Sequence, residues 1–125
     1  KGKIFQDFFA NFFKGDAGQY FTPMNIVKFI VNLFDLQSTD KVIDPSCGSG
    51  GFLLQSLAQM QEKSKKLKDP VKRHKFWHSF AEHSLYGIEI SGSISRTAKM
   101  NMIIHDDGHT NVISHDGLDD FKNFQ

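Results

Sequence analysis

Val42-Ile43-Asp44-Pro45-Ser46-Cys47-Gly48-Ser49-Gly50-Gly51-Phe52-Leu53 changes character twice within a few residues. An apolar pair runs into an acid and a proline. A glycine-dense turn follows, and then an apolar run of helical type. Such an order predicts a buried strand that ends in a loop whose backbone passes close to a bound molecule. A nucleoside-containing cofactor is the ligand this turn suits.

Working outward, residues 41–44 form the predicted strand and residues 51–66 a helix that starts at the glycine turn. A shorter helix is expected over 71–83 and a strand over 85–90. A helix over 93–105 and a strand over 111–115 complete the order. Upstream, Phe5, Phe8, Phe9, Phe12 and Phe13 follow the helical i, i+3, i+4, i+7, i+8 pattern and predict an aromatic helix over 3–14, stopped by Gly15. A polar turn spans 15–20. Thr22 then reads as an N-cap with Pro23 at the first helical position, opening a helix to about residue 36. Strand, helix, strand, helix, strand is the order of a right-handed α/β fold, a parallel sheet wound with helices. Ligands of such sheets lie beyond the carboxyl ends of the strands. Asp44, Glu89 and Asp116 fall at or just past three such ends.

The chemistry follows from residue type and place. Gly48 and Gly50 permit a tight turn and close approach of backbone N–H groups to a ligand. A turn that opens with the Asp44 carboxylate opposes a phosphate and suits a cationic group, such as the ammonium of a methionine moiety. Its plain alternative is a loop acid that caps the following turn. Glu89 can accept both hydroxyls of a ribose, or be an ordinary strand-end carboxylate. Ile90 beside it offers an apolar face to an adenine ring, or belongs to the core. Asp116, with Gly117, can accept from an adenine amine, or form an Asp-Gly turn. Cys47 has no adjacent histidine in a nucleophile pattern and reads as a small packing residue. In Tyr20-Phe21-Thr22-Pro23 the helix start can draw a carboxylate, although an N-cap with a hydrophobic staple writes the same letters.

Composition sets the outer bounds. A chain of 125 residues is one domain at most, with a small core. Net charge is +1, so no overall basic field marks a nucleic-acid partner. The single cysteine forms no intrachain disulfide, which fits a cytoplasmic location. No run reaches the length of a membrane span, and no signal-peptide pattern stands at Lys1. Thirteen phenylalanines are many for so short a chain, and their helical face suggests that more polypeptide covers it.

Taken together these motifs resemble the N-terminal part of the catalytic domain of an adenine-N6 DNA methyltransferase, specifically the modification (M) subunit of a type I restriction-modification system. The resemblance is carried by Gly18-Gln19-Tyr20-Phe21-Thr22-Pro23 and by Asp44 to Leu53. Gly87-Ile88-Glu89, Ala98-Lys99-Met100-Asn101-Met102 with His105, and His115-Asp116-Gly117-Leu118 continue it in the family's order. It implies a Rossmann-like S-adenosylmethionine-dependent methyltransferase fold, a parallel sheet with helices on both faces, truncated after the third strand. Residues 1–36 then supply helices with a cofactor-contacting turn, and residues 41–125 begin the sheet. The implied cofactor, S-adenosyl-L-methionine, meets Tyr20, Phe21 and Thr22 at its methionine end. The loop of Asp44, Cys47, Gly48, Ser49 and Gly50 cradles it. Glu89 takes the ribose, Asp116 with Gly117 the adenine, and Ile90 lies beside the adenine ring. DNA, through the complete enzyme, and the specificity and restriction subunits are the implied partners, with no membrane.

The family's catalytic Asn/Asp-Pro-Pro-Phe/Tyr motif follows a fourth strand, and no Pro-Pro pair occurs here. The expectation is therefore a cofactor half-site that is catalytically silent alone, with no catalytic residue in hand. Adenine or cytosine as acceptor stays open from these residues. Two other classes stand beside this reading. One is a non-catalytic assembly platform with a vestigial loop. The other is a dinucleotide-dependent oxidoreductase, disfavoured by Asp44 and by the 41 residues between Gly48 and Glu89, about double the usual interval. The lysine-rich stretch over 63–75 reads as a solvated insertion, with contact to DNA phosphate as the alternative. His74 and His78 share a helical face but have no third ligand for a metal.

Overall fold

A computed structural model describes residues 21–105, 111–120 and 122. The aromatic helix expected over 3–14, the turn over 15–20 and Tyr20 lie outside the described residues. In chain order the elements are α1 (Met24–Asn32), β1 (Val42–Asp44), α2 (Gly51–Ser64), α3 (Pro70–Ser84), β2 (Leu85–Glu89), α4 (Gly92–Ile104) and β3 (Val112–Ser114). The strands form one sheet in the order β1-β2-β3, both pairs parallel. This is the expected α/β alternation, with β2 central.

Register decides which side chains share a face. Val42 pairs with Leu85 and Asp44 with Gly87, while Gly87 pairs with Val112 and Glu89 with Ser114. These residues point to one face, and α2, α3 and α4 pack on it. Leu53, Leu57 and Met60 of α2, Phe80 and Ala81 of α3, and Ala98 and Met102 of α4 meet Leu85 and Val112 in a single buried cluster. Filling one face with side chains of three helices is what consecutive right-handed crossovers in one direction produce. Gly87 has no side chain because none fits: a Cβ there would lie 2.7 Å from Leu53 Cδ1 and 3.0 Å from Cys47 Sγ. On the opposite face Ile43 and Ile113 stay exposed. The second helical layer expected from the sequence is not among the described residues.

Several ends differ from expectation. Pro23, not Thr22, is the N-cap of α1; its extended ψ of 135° delays the first turn by one residue, and no side chain caps the helix. The Pro23 carbonyl takes the N–H groups of Ile26 and Val27 instead. The helix also ends at Asn32 rather than near residue 36. Val27 and Val31 are its buried residues, while Phe29, Leu33 and Phe34 are exposed. α1 packs on α2 rather than on the strands. Residues 70–75 of the lysine-rich stretch belong to α3, in line with the helix expected over 71–83, and Asp69 caps it by accepting from Val71 N–H at 2.9 Å and Lys72 N–H at 3.4 Å.

Candidate functional site

The strand ends and the loops after them build the site. Asp44 closes β1 and its Oδ1 accepts from Ser46 N–H at 3.1 Å, which starts the turn. Cys47 N–H then donates to the Ile88 carbonyl at 2.9 Å, folding the loop back over β2. Gly48 and Gly50 sit at φ of +53° and +87°, the left-handed region that other residues enter at a cost. Gly50 N–H closes the turn on the Cys47 carbonyl at 2.8 Å, and Gly50 is the N-cap of α2. The two glycines serve different ends. A Cβ on Gly50 would touch Ala98 and Met102 of α4, whereas one on Gly48 would meet nothing within 4 Å. The Gly48 side of the loop is therefore an open cradle.

Glu89 ends β2 and is buried, at 6% exposure. Its carboxylate joins two loops: Oε2 accepts from Gly48 N–H at 3.0 Å and Oε1 from Ser91 N–H at 2.9 Å. Charge-assisted bonds of this kind contribute about 1.5–3 kcal/mol each and offset the cost of burying the acid. Each oxygen keeps a further acceptor direction. Glu89 and Asp44 are close enough to feel each other. Burial pushes the Asp44 carboxyl up, the Ser46 N–H pulls it down, and the Glu89 charge raises it again. Burial, then the Asp44 and Glu89 charges, push the Cys47 thiol up to about 12. A thiol so protonated is no nucleophile at neutral pH. Cys47 lies against Gly87 in the core cluster.

The remaining positions are more peripheral. Ile90 is 70% exposed just past β2. Asp116 is exposed and its Oδ1 accepts from Leu118 N–H at 2.9 Å, a local turn contact. Gly117 is in the site for a reason that spacing could not reveal: a Cβ on it would overlap the Pro45 carbonyl oxygen. The loop after β3 thus leans on the loop after β1, across the tip of β2. Phe21 and Thr22 are exposed ahead of α1, whose Met24 and Val27 flank the start of α2 at Gly51. An apolar cleft of about 260 Å³ lies between α1 and β1, lined by Ile30, Phe34, Ile43, Pro45 and Phe52 with Asp44 at its edge. Among the described residues no group of His, Cys, Asp and Glu is placed to hold a metal; His74 and His78 stack on each other at 5.0 Å. Sequence reasoning assigned no role to Asn101, whose Nδ2 donates to the Ser49 carbonyl at 2.9 Å.

With an acidic, glycine-lined site at the strand ends in view, the profile of the N-6 DNA Methylase family matches residues 2–123. The chain belongs to the N-6 DNA methylase family. Curated relatives of this methylase chain include the type II restriction enzyme and methyltransferase RM.BcgI of Heyndrickxia coagulans, 30% identical over 88% of the chain and 17% of the relative. The type I restriction enzyme EcoKI methylase subunit of Escherichia coli is 34% identical over 78% of the chain and 18% of the relative. The chain thus spans less than a fifth of the length of these relatives. Among solved structures, the EcoKI M protein superposes with a TM-score of 0.61 at 28% identity, over 78% of the methylase chain and 20% of that one. A modification subunit of a putative type I restriction enzyme from Vibrio vulnificus shares the fold, with a TM-score of 0.74 at 24% identity over 93% of the methylase chain and 23% of that one.

Proposed function

We propose that the chain is the S-adenosylmethionine-binding part of a site-specific adenine-N6 DNA methyltransferase, the M subunit of a type I restriction-modification system. The observation that carries this reading is the buried Glu89 carboxylate, joined to the open Gly48 cradle beside Asp44 at the carboxyl ends of parallel strands. The donor set suits the cofactor. The unfilled side of Gly48 admits a ligand against the backbone, and the free acceptor directions of Glu89 match a ribose diol. Asp44 offers a negative charge to the methionine ammonium, and Asp116 an acceptor to the adenine amine. Ile90 supplies an exposed apolar surface for the adenine ring, and the segment of Tyr20, Phe21 and Thr22 approaches the methionine end. Nothing in this set favours a pyrophosphate, which two carboxylates would repel.

When bound, the cofactor's sulfonium supplies an activated methyl group. The residues in hand bind and orient it; none is needed as a general base. Placement of the flipped adenine belongs to the family's Asn-Pro-Pro-Phe motif, which these 125 residues do not contain. DNA, the specificity and restriction subunits, and a cytoplasmic setting complete the proposal. Among the described residues no helix is long and apolar enough to cross a membrane.

Isothermal calorimetry with S-adenosylmethionine, with NAD as control, tests the reading. Selective binding that Asp44→Ala weakens by roughly 10- to 100-fold is expected, the loss of a charge-assisted contact. Equal binding of NAD, or no binding by protein whose circular dichroism shows it folded, would overturn it.

A further inference from the structure

Asn101 stands in the last third of α4, where asparagine is a poor helix former. Its side chain does not turn back to its own helix. It crosses to the glycine loop, 52 residues away in sequence, and donates Nδ2–H to the Ser49 carbonyl at 2.9 Å. The acceptor is a carbonyl, so the amide nitrogen is the only end of the side chain that can make this bond. One turn earlier on α4, Ala98 is the residue against which Gly50 is seated. α4 therefore presses on the loop with Ala98 and bonds it with Asn101.

Backbone bonds, the Asp44 carboxylate at the loop's own start and the Glu89 carboxylate hold the rest of the loop. Cys47 N–H is taken by Ile88 and Gly50 N–H by Cys47; Gly48 N–H is taken by the Glu89 side chain. Among the described residues, Asn101 and Glu89 are thus two side chains from outside the loop that grip it, one on its carbonyl side and one on its N–H side. A segment with two glycines at positive φ loses more conformational freedom on ordering than any other, so its fixed shape depends on such grips. We propose that Asn101 is a positioning residue for the cofactor loop: it holds the Ser49 carbonyl so that the Gly48–Gly50 backbone is set before the ligand arrives. The purpose of the grip rests on the cofactor reading above; the grip itself does not.

The test uses the complete subunit carrying wild-type Asn101, Asn101→Asp or Asn101→Ala. Two quantities are read at pH 8 and pH 4.5: amide hydrogen exchange of residues 47–51 without cofactor, and affinity for S-adenosylmethionine. At pH 8 the carboxylate of the Asp variant faces the Ser49 carbonyl with no proton to donate. Loop exchange then rises about 10-fold over wild type and cofactor affinity falls roughly 10- to 100-fold. Towards pH 4.5 protonation of that carboxyl restores the donor in part, and both ratios to wild type move back towards one. The Ala variant loses about 2- to 10-fold and shows no such recovery. Asp44, Cys47, Glu89 and His105, whose Nδ1 lies 2.8 Å from the Asn101 carbonyl oxygen, are common to all three proteins. Unchanged loop exchange in both variants, or an Asp variant with no more recovery than Ala, overturns the proposal whatever the wild type binds. A wild type that binds no cofactor, with the pH-dependent exchange intact, overturns the cofactor reading and leaves the grip standing.

Discussion

Burial pushes the Asp44 carboxyl above the ordinary range, and Glu89 adds to the rise against the pull of the Ser46 N–H. A carboxyl whose folded pKa exceeds its unfolded value binds more protons when folded. Stability therefore falls as pH rises from the unfolded value of 3.8 through the folded one, and the penalty is fully present above it. Asp44→Asn removes the penalty. The variant is expected to be more stable than wild type at pH 7 and to lose that advantage as pH falls towards 4, by urea midpoints at each pH. Under the proposed function the same change is expected to weaken S-adenosylmethionine binding, as for a residue kept for a ligand at the expense of the fold. Gly117 poses a different constraint. Gly117→Ala forces the loops after β1 and β3 apart at Pro45, with an expected loss of about 1–3 kcal/mol in denaturant unfolding and weaker cofactor binding. Spacing picked out Gly117 as a turn residue next to Asp116. The contact with Pro45 was invisible because it joins residues far apart in sequence.

Elements were legible where two signals agreed. β2, α4 and the start of α2 lie within a residue or two of expectation, because apolar period and turn chemistry coincide there. α1 shows the limit. Thr22-Pro23 writes a cap-and-first-turn signal, but the proline stayed extended and became the cap itself. At α3 the helix was foreseen but its cap was not. Asp69 lies within a lysine-rich run, which hides its capping role: it accepts two N–H groups and Pro70 follows at the first helical position. Asp69→Ala is expected to cost about 1 kcal/mol, measured by the urea midpoint, with no change in cofactor affinity.

At the scale of the whole molecule, several cations of the lysine-rich stretch have local partners. Lys63 pairs with Asp35 and the Leu36 carbonyl, Lys65 pairs with Glu62, and Arg73 donates to the Leu67 carbonyl at 3.0 Å. Charge reversal of Lys65, Lys66 and Lys68 is accordingly expected to leave the complete enzyme's DNA affinity within about twofold at near-physiological salt, by fluorescence anisotropy; a loss of tenfold or more with a shallower salt dependence would assign these lysines to phosphate. The sheet, its parallel sense and the three acids at its carboxyl edge were all readable, because each depends on local order along the chain. The exposed Ile43 and Ile113 were not, since which face helices cover is set by crossover direction and by packing partners rather than by the strand's own letters. Cys47 gives this architecture a clock. It is the sole thiol of the chain, buried beneath the glycine loop with its proton held. Alkylation in native buffer therefore advances only when the loop lifts, so the reaction half-time counts openings in real time. If the proposed function holds, occupation of the cradle by S-adenosylmethionine is expected to slow that clock and NAD to leave it running at its own pace.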